Sequence, residues 1–137
     1  MLNVVREFSR KKHAGQKDKG GNDYFENHIF SVVAGVDTAK QKIVAYLHDV
    51  LEYTDATENE LIRLGLADDV IEAIKLLTKT DDDLTGYYNR IRENDLARIV
   101  KLSDLENNMD LSRVKNVTIR DMKRTDKYIK WYDYLMR

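Results

Sequence analysis

Residues 43–57, IVAYLHDVLEYTDAT, decide the reading of the whole chain. Ile43, Val44, Leu47 and Leu51 recur at helical spacing, which predicts an apolar helix with one packed face. At its end His48 and Asp49 stand side by side, Glu52 follows, and a polar turn closes the segment. Polar groups that close an apolar helix are costly to bury unless something outside the helix satisfies them. A divalent ion does so, because imidazole and carboxylate together suit a transition metal.

The flanking sequence reads as helical on both sides. Proline is absent, which removes the strongest helix breaker, and β-alternating runs between turns are scarce. Upstream, residues 2–13 form a first predicted helix and residues 24–35 a second. The glycine pair Gly20-Gly21 makes residues 17–22 a mobile polar loop between them. Asp37 or Thr38 caps the central helix. Downstream, Thr57-Glu58-Asn59-Glu60 has capping-box spacing and starts a short helix. Asp68 or Asp69 opens the next, and Asp81-Asp82-Asp83 is an acidic break. A sixth helix carries Tyr87, Tyr88 and Ile91. Asp95 is the expected cap of a seventh over residues 96–109, and Thr118 with Asp121 starts the last. The expected fold is all-α: a compact single domain, residues 1–137, of about eight helices.

Composition bounds the function classes. Lys plus Arg number 23 and Asp plus Glu 24, so net charge gives no reason to expect nucleic acid or an anionic membrane as partner. There is no cysteine, so any metal must be held by histidine and carboxylate. The N-terminal segment is amphipathic rather than signal-like, and no apolar run reaches membrane-spanning length; a cytoplasmic protein is expected.

The candidate metal ligands are His28, His48, Asp49 and Asp104. Two imidazoles and two carboxylates form a mixed nitrogen and oxygen set for Mn²⁺ foremost, with Fe²⁺, Zn²⁺, Mg²⁺ or Ni²⁺ as alternatives. Each residue also has an ordinary alternative. His28 reads equally as a satisfied helix histidine, Asp49 as a capping carboxylate and Asp104 as a solvated one. His13 stands at a predicted helix C-terminus, where the dipole favours it, and is kept out of the set. The aromatic run Tyr128, Trp131, Tyr132, Tyr134 reads as packing rather than as a stacking surface for bases.

Three segments, HAGQKDKGG at 13–21, HDVLEYTDAT at 48–57 and KLSDLENNMDLSR at 101–113, resemble small stand-alone HD-domain metal phosphohydrolases. These are similar to the hydrolase half of the (p)ppGpp synthetase/hydrolases. The resemblance spans almost the whole chain and implies that His28, His48, Asp49 and Asp104 bind the ion. It implies that Glu52 orients or activates the attacking water, and that Asn108 lines the nucleotide pocket. Helical spacing also puts Asn108 on the face of Asp104. Lys19, in the glycine loop, is either a flexible point charge for phosphate or an ordinary solvated lysine.

The chain departs from that pattern in three places. Tyr53 follows Glu52 where the alarmone hydrolases carry an aspartate, with Asp55 nearby. The segment before His28, Tyr24-Phe25-Glu26-Asn27, is one residue longer than the Tyr-Ile-x-His-Pro pattern and lacks its proline. The loop Lys17-Asp18-Lys19 has an acid at its centre. The expected activity is hydrolysis of a nucleotide, with a pyrophosphorylated guanosine as leading substrate. A phosphatase acting on nucleoside monophosphates and a non-catalytic metal- or nucleotide-binding protein are the alternatives.

Overall fold

A computed structural model describes all residues, 1–137. It contains nine α-helical segments and no strand: α1 Leu2–Lys12, α2 Phe30–Ala34, α3 Ala39–Leu47, α4 Val50–Tyr53, α5 Glu58–Arg63, α6 Asp68–Leu76, α7 Leu84–Arg92, α8 Asp95–Met109 and α9 Ile119–Met136. A π-helical turn, Phe25–Ile29, runs directly into α2. α3 and α4 are two halves of one rod broken at His48 and Asp49. No helix is long and apolar enough to cross a membrane.

α3 lies at the centre, packed by α1, α2, α6 and α8. Val44, Ala45 and Leu47 are fully buried there and join one apolar cluster with Val5, Ile29, Val32, Ile74, Val100 and Leu105. Burial of that apolar surface is the main source of stability. A buried Ser9 hydroxyl donates to the Tyr46 carbonyl at 2.6 Å and ties α1 to α3. On the other side Gly35, at the end of α2, lets α8 approach closely. A Cβ at that position would overlap the Ser103 Oγ, which donates to the Val32 carbonyl at 2.9 Å. The α2 and α8 backbones are thereby held together next to His28 and Asp104.

Capping follows the side-chain logic of the sequence, with two shifts. Thr38, Thr57 and Thr118 each start a helix with a reciprocal capping box. α8 is capped by Asn94, whose side chain accepts from the Ala97 N–H at 2.9 Å, not by Asp95, which is its first residue. Ala67, not an aspartate, precedes α6, and Asp68 sits in the first turn, where an acid suits the helix dipole.

The glycine loop forms a hydrogen-bonded turn. The Asp18 Oδ1 accepts from the Gly20 and Asn22 amides, both at 2.9 Å, and Lys17 pairs with Asp23 in a short antiparallel bridge. Asp18 thus supplies the hydrogen bonds that the glycines leave open. Trp131 stacks on Tyr88 with ring centroids 4.2 Å apart, so the aromatic run packs α9 onto α7. Tyr128 departs from this and faces the cleft described below.

Candidate metal centre

Adjacent residues in a regular α-helix point about 100° apart and cannot share a target. The break between α3 and α4 removes that restriction for His48 and Asp49: His48 Nε2 lies 3.2 Å from Asp49 Oδ2. The π turn does the corresponding work for His28. A π turn holds one residue more than an α turn, and residues 25–29 form one immediately ahead of α2. His28 Nε2 consequently lies 2.9 Å from Asp104 Oδ1 and 3.7 Å from Asp49 Oδ2. The Asp104 Oδ1 is also 3.4 Å from His48 Nε2.

All four side chains therefore converge, and all four residues are buried. His28, His48 and Asp104 offer ligand atoms within 4.8 Å of one another. Asp49 is not one of these three, and its Oδ2 also accepts from the Tyr24 hydroxyl at 2.5 Å.

The donor chemistry fits a divalent cation. His48 Nδ1 lies 2.6 Å from the Ala45 carbonyl, which only accepts, so the proton is on Nδ1 and the Nε2 lone pair is free. That Nε2 is buried and has no hydrogen-bond partner. His28 Nδ1 is engaged in the same way by Asn107 Oδ1 at 2.6 Å. Two imidazole lone pairs aimed at two carboxylates repel unless a cation or shared protons lie between them. Protons are the metal-free solution. Burial alone would lower the pKa of His48, but Asp49 and Asp104 outweigh it and hold the imidazole well above its usual value. Burial would likewise raise Asp104, but Lys101, His28 and His48 outweigh it and hold the carboxyl well below its usual range.

Lys101 has no counterpart in the sequence reading. Its Nζ is 2.8 Å from Asp104 Oδ2, one helical turn away, and close to the rings of Tyr87 and Tyr88. Tyr24 and Asn107 were also unmarked in the sequence. Only the i,i+3 spacing of Lys101 from Asp104 offered a signal.

The cluster sits where two cavities meet; Tyr24, His28 and Asn108 line both. One, of about 140 Å³, holds Glu52, Tyr53, Lys79, Lys101 and Tyr128 beside Asp49 and Asp104. The Glu52 Oε1 accepts the Lys79 amide at 2.8 Å, which fixes the carboxylate at the cavity wall. Tyr53 lines the same wall, and burial, then the neighbouring Glu52, pushes its phenol pKa up. Asp55 is elsewhere, paired with Lys12 at 2.9 Å, and does not replace the missing carboxylate. Asn108 Nδ2 donates to Asp104 Oδ1 at 3.3 Å. The second cavity, about 150 Å³, is lined by Lys17, Lys19 and Arg113 with Asp18 and Asp110. Lys19 is not a loose charge there: its Nζ donates to the Asn108 carbonyl at 3.2 Å and lies over the Tyr128 ring.

Fold and site together define an all-α domain with a buried His/His/Asp cluster whose donor atoms could hold a divalent metal. Among solved structures the chain is similar to a metazoan ortholog of SpoT, described as hydrolysing ppGpp and playing a role in starvation responses. The two share 21% identity and a TM-score of 0.81, over 99% of this chain and 85% of that one, which establishes a common fold. No protein-family model and no curated protein sequence matches the chain.

Proposed function

We propose that the protein is a metal-dependent phosphohydrolase acting on a nucleotide, with a (p)ppGpp-type pyrophosphorylated guanosine as the substrate class. The observation that carries this reading is the buried, unpartnered His48 Nε2 facing Asp49 and Asp104 at the edge of a lysine-lined cleft. The fold shared with a ppGpp-hydrolysing SpoT ortholog supports the substrate class.

His28, His48, Asp104 and Asp49 would hold the ion, and this thiolate-free nitrogen and oxygen set accepts Mn²⁺ among other divalent cations. When bound, such an ion polarises a phosphoryl oxygen and lowers the pKa of water to near neutrality. Glu52 accepts the proton of the attacking water, its geometry set by the Lys79 amide. Water oxygen bonds to phosphorus, the phosphoester bond breaks, and the leaving oxygen takes up a proton. Lys79 and Lys101 on one side and Lys19 on the other place positive charge where a pyrophosphate would lie. Asn108, between the cavities, holds the sugar or base. Tyr53, Tyr87, Tyr88 and Tyr128 line the cleft as apolar and hydroxyl-bearing walls.

The test is elemental analysis of the purified protein, followed by a hydrolysis panel of (p)ppGpp, nucleoside triphosphates and monophosphates with Mn²⁺ added. His48→Ala and Asp104→Ala should lose both ion and turnover. Unchanged metal content and unchanged hydrolysis in both variants would refute the reading. A second reading, a metal- or nucleotide-binding protein without turnover, is favoured by one observation: a phenol, Tyr53, stands where a carboxylate is expected, and Asp55 is held away by Lys12. Metal uptake with no hydrolysis of any compound in the panel would select it.

A further inference from the structure

The orientation of His28 is set by a residue outside the ligand set. The Asn107 side-chain atom that meets His28 Nδ1 at 2.6 Å also lies 3.0 Å from Arg113 Nη2. A guanidinium only donates, so this atom is the amide oxygen, and the hydrogen on His28 sits on Nδ1. Nε2 is left with its lone pair toward Asp104 and Asp49.

Arg113 is itself fixed from the far side. Its Nη1 lies 3.7 Å from Asp18 Oδ2, a buried carboxylate oxygen with no hydrogen-bond partner. Its carbonyl abuts Gly20 so closely that any Cβ there would overlap it. The glycine loop, Arg113 and Asn107 thus form one continuous set of contacts ending on a metal ligand.

We propose that Asn107 is the positioning residue for His28, fixing it as the Nδ1–H tautomer, and that Arg113 locks the Asn107 amide against rotation. This rests on the metal-centre reading above. A polar partner on the non-ligating nitrogen fixes ring orientation and raises basicity, and losing one weakens metal binding about 10–100-fold. Position 107 carries this role because it lies one turn beyond Asp104 on α8, beside the face that Asn108 presents to the cleft.

The experiment pairs two readouts. Imidazole ¹⁵N NMR of the metal-free protein above neutral pH reports the His28 tautomer, and competition with a chelator reports Mn²⁺ affinity. Asn107→Leu should abolish the Nδ1–H signature of His28 and weaken Mn²⁺ binding roughly 10–100-fold. Asn107→Asp, which still offers an oxygen to both His28 and Arg113, should restore the tautomer and most of the affinity, which a merely structural role would not. Arg113→Met should give a mixed tautomer population, and it serves as the test if Asn107→Leu does not fold. An unaltered Nδ1–H signature in Asn107→Leu, or in Arg113→Met should the former not fold, overturns the proposal. A parent protein that takes up no Mn²⁺ overturns the hydrolase reading instead, while the metal-free spectra still decide the part played by Asn107.

Discussion

Gly35→Ala should damage both the fold and the metal centre, by an amount that follows from one contact. A methyl group at position 35 would overlap the Ser103 Oγ and lie 3.3 Å from the Ser103 Cβ. Two relaxations are open. The hydroxyl can swing away, which breaks its 2.9 Å bond to the Val32 carbonyl, an acceptor that keeps the Gly35 N–H, costing about 1 kcal/mol. Alternatively α2 and α8 can part by about 1 Å, an overpacking strain also worth about 1–3 kcal/mol. The propensity gain from alanine is small, because Gly35 follows the last residue of α2 rather than lying within it. The expected net loss is therefore about 1–3 kcal/mol, or a fall in Tm of roughly 3–15 °C. Urea unfolding monitored by circular dichroism measures it. Adding Ser103→Ala removes the overlapping hydroxyl, so the double variant should be more stable than Gly35→Ala alone. His28 belongs to the rod that Gly35 ends, and Asp104 follows Ser103, so Mn²⁺ affinity should fall together with stability. A loss below about 0.5 kcal/mol, or a double variant no more stable than the single one, would refute the claim that this contact sets the α2–α8 spacing.

Three further outcomes are expected. Glu52→Gln should keep the metal content of the parent and lower kcat about 10²–10⁴-fold, as for loss of a general base; elemental analysis beside steady-state kinetics separates the two effects. Tyr53→Asp should raise hydrolysis of (p)ppGpp relative to nucleoside monophosphates, read as the ratio of kcat/KM values; an unchanged ratio would remove Tyr53 from specificity. His13 is fully buried, and burial pushes its pKa below the usual 6.5 despite a hydrogen bond from Nδ1 to Gln16. The unfolded chain therefore takes up this proton before the folded one. The resulting stability is present above pH 6.5 and is lost as pH falls from there toward the depressed value. Between about pH 7 and about pH 5, Tm should drop more steeply in the parent than in His13→Gln; parallel slopes would contradict this.

The helical layout was legible because apolar periodicity and threonine capping boxes are local signals, and both survive folding. The His48-Asp49 pair is legible for a different reason, since costly polar residues close an apolar helix, whereas Asp104 reads as solvated by itself and joins the set only through the family resemblance. What escaped notice depends on tertiary neighbours. Lys101 reads as a surface lysine until Tyr87 and Tyr88 cover it, and Asn107 reads as a solvated amide until Arg113 and His28 meet on its oxygen. In the glycine loop, glycine count suggests freedom, whereas the Asp18 carboxylate accepts hydrogen bonds within the turn. The α8 cap was misplaced by one residue because Asn94 and Asp95 both cap well, and only backbone geometry separates them.

The wide turn at residues 25–29 bears on how kinship is traced from letters alone. A turn of that width takes one more residue than an α turn, so an added position there need not displace the imidazole that follows. Rigid-interval searches anchored on the preceding tyrosine would step past such a chain. Its kin are better sought by superposing backbones than by aligning strings.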